Sequence, residues 1–157
     1  MQTAKITVAM RAPQFSCDPK WSRRRALIER SARFFSEALR IDASLTIKIE
    51  AHSSKVGKGT HGHAQAPVDG VCRIRVLRDL PASRLLHVIA HEMVHAKQFQ
   101  TGDLTIVRGV QTYRGVRQDQ LAWDERGHEE QAERMAAQLV DAIVASMGRA
   151  ETTLARI

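Results

Sequence analysis

Aromatic side chains are scarce in this chain: four Phe, two Trp and one Tyr make up 4% of its 157 residues. Its core must therefore be built from Leu, Ile, Val, Ala and Met. No basic run interleaved with aromatics and no nucleic-acid-binding motif is present. Cysteine is nearly absent too. Cys17 and Cys72 form no CxxC pair and are too few for a disulfide framework, which fits a reducing compartment. Nowhere do roughly 18 apolar residues run together, so no membrane-spanning helix is expected. The N-terminal stretch MQTAKITVAMRAPQ has no apolar core of signal-peptide length, because Lys5 interrupts it. These absences point to a cytoplasmic protein.

What is present suits one globular domain, expected over residues 1–148 with a tail at 149–157. Apolar residues form 43% of the chain and charged residues 26%, enough to bury a core without staples. The net charge of +7 favours acidic partners, and weak non-specific nucleic-acid binding is expected from it. The element pattern is mixed. A strand is expected at 3–10, a turn around Pro13 to Pro19, and a helix from Ser22 to Leu39 with Leu27, Ser31, Phe34, Phe35, Ala38 and Leu39 along one side. Leu45, Ile47 and Ile49 alternate with polar residues as in a half-buried strand. Residues 52–70, rich in Gly, Ser and His, read as a loop. In the strand 71–77, Cys72, Ile74 and Val76 alternate with Arg73 and Arg75, and Arg78 follows, so one face is apolar and the other basic. This strand offers an edge to which an extended substrate could add.

A strongly apolar helix then runs from about Pro81 to just before Gly102. A β-hairpin is expected within 104–117. A final helix spans about 124–148, with Ala132, Met135, Ala136, Leu139, Val140, Ile143, Val144 and Met147 at helical spacing.

The sharpest feature is HEMVH at 91–95. Two histidines four apart on a helix point the same way, one turn above the other, so His91 and His95 can reach one metal ion. Glu92 lies about 100° round the helix from His91, beside the metal and free to take a proton from a metal-held water. Uncoordinated His and Glu inside so apolar a helix would cost a few kcal/mol each, roughly, in lost hydration. The plain alternative is a pair of hydrogen-bonded core histidines, with His87 one turn earlier as a packing residue.

A catalytic metal needs a third protein ligand and an open position. His52, His61 and His63 are upstream candidates, but they sit in the Gly-rich segment. The final helix is the better source. Glu129 stands just before the apolar stripe with the small Ala132 three residues on; Glu130 lies off that face. Glu133, one turn later, is its rival and otherwise suits a role orienting a ligand histidine through its other ring nitrogen. Tyr113 and His128 are possible donors to a developing oxyanion; the alternatives are a hairpin core tyrosine and a surface histidine.

The combination of HEMVHAKQ, a hairpin ending in TYRG, and ERGHEEQAERMA resembles the small gluzincin peptidases, the SprT-like group and its phage and bacterial relatives. In those families the third ligand opens an E-x-x-A segment, which Glu129 to Ala132 matches. EEQAERMAAQL is also similar to the E-x-x-A-N-x-F-A-x-x-L helix of the ImmA/IrrE peptidases, an alignment that again selects Glu129. Here Glu133 replaces the Asn and Met135 the Phe of that pattern, and the third His of its HExxHxxxH string is missing. The resemblance implies an α+β, zincin-like fold: a small mixed sheet, an HExxH helix beneath the cleft, and a C-terminal helix bringing the third ligand. It further implies one Zn2+ per chain held by His91, His95 and Glu129, with Glu92 as general base in peptide-bond hydrolysis. The expected partner is a peptide or protein substrate. The alternative is a basic nucleic-acid-associated protein with a structural or vestigial zinc site, or a peptidase acting on DNA-bound proteins.

Overall fold

The computed structural model describes residues 5–10, 19–51, 55–56 and 60–147. The turn expected around Pro13, Cys17, His52 and the tail 149–157 lie outside them. Among the described residues the chain is α+β, with three α-helices and two sheets.

The first sheet contains β1 (Ile6–Met10), β2 (Ser44–Glu50), β3 (Gly62–Val68) and β4 (Val71–Leu77) in the order β1-β2-β4-β3. β1 pairs parallel with β2, and β2 parallel with β4, while β3 runs antiparallel to β4. The helix α1 (Pro19–Leu39) makes the crossover between β1 and β2, as a parallel pair requires. Period-two alternation turns Leu45, Ile47 and Ile49 of β2 and Cys72, Ile74 and Val76 of β4 into the interior, all at 4% exposure or less. Each Ile so buried contributes about 1.5–3 kcal/mol.

β3 corrects the expectation of a loop throughout 52–70. Its sequence GHAQAPV has little β propensity, but pairing with β4 and packing on the next helix hold it extended. Asp69 and Gly70 both adopt positive φ (52° and 72°), the two-residue hairpin turn that suits strand twist and that Asp-Gly favours. β4 is consequently an inner strand, flanked by β2 and β3, and the edge strands of this sheet are β1 and β3 instead. Arg78 falls just beyond β4. Rather than extending the basic strand face, it pairs with Asp79 at 2.8 Å and stands over the Trp21 ring.

On the apolar side of the sheet lie α1 and α2 (Ala82–Thr101). α1 buries Ile28, Ala32, Phe35 and Leu39 along with Ser31; Ala38, expected on that face, is exposed. The second sheet is a meander, not a single hairpin: β5 (Leu104–Val107), β6 (Val110–Tyr113) and β7 (Val116–Arg117) are all antiparallel neighbours. A short 3-10 turn at Trp123–Glu125 leads into α3 (Gly127–Ser146). α3 starts three residues later than expected and buries Ala132, Ala136, Leu139 and Ile143. It packs on α2, so α2 is covered by the sheet on one side and α3 on the other. Among the described residues no helix is long and apolar enough to cross a membrane.

Candidate metal centre

HEMVH lies in the middle of α2, where its histidines face α3. His91 Nε2 is 3.1 Å from His95 Nε2 and 3.1 Å from Glu129 Oε2; His95 Nε2 is 3.3 Å from the same oxygen. Two ring nitrogens and a carboxylate oxygen thus converge on one point, and this group can hold a metal ion. His61 and His63 line the same cleft but do not join the group, and Glu130 is exposed to solvent.

Around the three donors the side chains interlock. His95 Nδ1 is 2.8 Å from Gln98 Oε1, and Gln98 Nε2 donates to the His128 carbonyl (3.0 Å) and to Gln131 Oε1 (2.8 Å). The Tyr113 hydroxyl donates to the same Gln131 oxygen at 3.1 Å. A chain of contacts therefore runs from the meander through α3 to His95. Tyr113 is engaged there as a packing residue between hairpin and helix, with its ring against Gly127. On the other side, Glu133 places one oxygen 3.4 Å from His91 Nδ1 and the other 3.0 Å from His87 Nε2.

His128 is not a surface histidine: it is 1% exposed. Its Nδ1 meets Gln118 Oε1 at 3.1 Å, and its Nε2 lies 3.2 Å from Glu129 Oε1. Burial opposes ionisation of Glu129, but contacts with His128, His91 and His95 outweigh it and hold the carboxyl below its ordinary range. In the sequence nothing marks Gln98 and His128 as partners of the His91–His95–Glu129 group. Only the docking of α3 and the meander brings them there.

Glu92 is 6% exposed. Burial raises its pKa, partly countered by the nearby His95 and His91 and by the Ala64 backbone N–H. β3 approaches it closely: a Cβ placed on Gly62 would lie 2.5 Å from Val88 Cγ1 and 2.7 Å from Glu92 Oε1. Position 62 must therefore be glycine for the strand and helix to meet as they do. His91, Glu92, His95 and Glu129 open on a cleft of about 430 Å³, with residues 60–64 on one wall and the meander on another.

No known protein family matches the chain, and neither does any curated protein or solved structure. The functional argument rests on the site itself.

Proposed function

We propose that this chain is a zinc-dependent peptidase of zincin-like fold, with His91, His95 and Glu129 as ligands and Glu92 as general base. The convergence of the three donor atoms carries this reading. Around a tetrahedral zinc with bonds of about 2.0–2.1 Å, donor atoms sit roughly 3.3–3.4 Å apart, and the three separations of 3.1–3.3 Å fit that spacing. Two neutral imidazoles and a carboxylate are also the donor set that leaves zinc an open fourth position.

When bound, zinc supplies a Lewis acid for the peptide carbonyl and acidifies the water beside it. The chain's own residues do the rest. Glu92, adjacent to the ligand set but not part of it, takes the proton from the attacking water and returns it to the leaving amine. Burial raises its affinity for a proton, partly countered by His95 and His91, which makes the ionised carboxylate a stronger base than an exposed one. The exposed edge of β3 runs along the cleft and offers main-chain groups to an extended peptide.

Metal analysis of the purified protein beside a His95→Ala variant tests the reading. One zinc per chain is expected in the first and almost none in the second; a stoichiometry near zero in protein prepared without chelator would overturn it. Glu92→Gln should retain zinc and fold but lose hydrolysis of an unfolded protein substrate, and cleavage at the unaltered rate would remove Glu92 from the role of base.

A second reading, nucleic-acid association, draws on one feature. Lys48 and Arg75 are cross-strand neighbours on the sheet face turned away from the helices, with Arg73 on the same face of β4. Such a face suits phosphate contacts without base readout.

A further inference from the structure

The cleft is chemically unequal along its length. Arg84, His87, His91, His95 and Phe99 all line it and follow one another along α2, so it runs with the helix over about 22 Å at 1.5 Å per residue. α3 lies antiparallel to α2, since Gln98 meets His128, His91 meets Glu129 and His87 meets Glu133. The residues preceding α3 therefore sit towards the Phe99 end. At the opposite end Arg84 and His87 are balanced by Glu133, whose carboxyl both of them help to keep ionised against its partial burial.

At the Phe99 end Phe99, Leu104, Ile106 and Trp123 dominate the lining, with Gln111, across from Ile106, as the polar group among them. Leu104 is buried, but Ile106 is 48% and Trp123 58% exposed. Of the five large apolar side chains exposed among the described residues, four (Ile106, Val107, Val116 and Trp123) belong to this one segment. Leu104 and Ile106 are two apart on β5 and share the face that looks into the cleft. Apolar surface gathered beside a cleft, unlike single scattered residues, marks a binding surface.

We propose that this end of the cleft receives a large apolar side chain of the substrate, so that the substrate class is an extended peptide carrying Leu, Phe or a similar residue close to the cleaved bond. The proposal rests on the peptidase reading. The extended backbone aligns on β3, which leaves alternate side chains free to enter the cleft. A folded protein keeps such side chains inside, so the fitting partner is an unfolded or locally opened chain.

The test uses a Trp21→Phe/Glu92→Gln protein, in which Trp123 is the remaining tryptophan and cleavage is blocked. It is titrated with alanine-based blocked peptides carrying one guest residue: Leu, Phe, Ser or Glu. Leu and Phe peptides should bind about tenfold or more tightly than Ser and Glu peptides and shift Trp123 emission to the blue as water leaves the ring. Ile106→Asp, and separately Trp123→Ala followed by calorimetry, should abolish that preference with zinc content unchanged. Equal affinity for all four peptides, no binding of any, or a preference that survives both substitutions would overturn the proposal. The two readings fail separately. A chain that shows the preference but never cleaves in its unaltered form defeats the peptidase reading alone, whereas cleavage without preference defeats only this inference.

Discussion

Gln98 holds His95 in place: its side-chain oxygen lies 2.8 Å from His95 Nδ1, and its amide nitrogen is anchored on α3 by two hydrogen bonds. At 2% exposure it has no water to replace these partners. Gln98→Ala should therefore weaken zinc binding about 10–100-fold, as loss of a group orienting a ligand typically does. The orphaned partners should also cost about 1–3 kcal/mol of stability. Chelator competition and thermal unfolding measure the two effects. Unchanged affinity would show that His95 is oriented without this contact.

Glu129 and Glu133 differ sharply in what they touch. Glu129 places one oxygen against both His91 and His95, whereas Glu133 reaches only the outer nitrogen of His91 and His87. Glu129→Ala should thus weaken zinc binding more than Glu133→Ala, with both proteins folded when saturated with metal. The reverse order would make Glu133 the ligand.

Gly62→Ala tests the contact between β3 and Glu92, the proposed base. The added methyl has no room beside Val88 and Glu92, and relief of such overpacking costs roughly 1–3 kcal/mol. Turnover should fall further than metal affinity, because Glu92 moves while the ligand set does not. Equal falls in both would mean that the strand supports the whole site rather than its base.

For the basic sheet face, low-salt binding to duplex DNA of arbitrary sequence should be measurable at micromolar protein and should fade as salt rises. Replacing Lys48, Arg73 and Arg75 together by Ser should remove it. No binding in the unaltered protein would withdraw nucleic acid from its partners.

Much of this arrangement is legible in the sequence, and the gaps have physical causes. HEMVH in an apolar helical run identifies α2 and its two donors, because residues four apart on a helix must share a face. Ala132 beside Glu129 marks where α3 approaches. β3 escapes such reading: Gly62, Ala64, Ala66 and Pro67 are poor strand formers, and the segment is extended only because β4 pairs with it. Asp69-Gly70 was the available signal, a hairpin turn that implies a strand on each side. His128 looks like a surface residue in sequence because nothing local buries it; the meander and Gln118, distant in pattern, fold over it. For the same reason the sequence suggests β4 as an edge strand, since an unrecognised neighbour leaves an inner strand looking free.

The order of these elements along the chain also governs when the site comes into being. His91, Glu92 and His95 are all present once α2 is made, but Glu129 follows His91 by 38 residues, across the whole meander. A growing chain emerges from its N-terminal side, so β1 to β4 and α2 can gather before the last donor exists. Completing the proposed ligand set is then a late act of assembly: a nascent chain that stalls within the meander has His91, Glu92 and His95 but not Glu129. Capacity for metal, and the hydrolytic power proposed to come with it, arrives only with the finished fold.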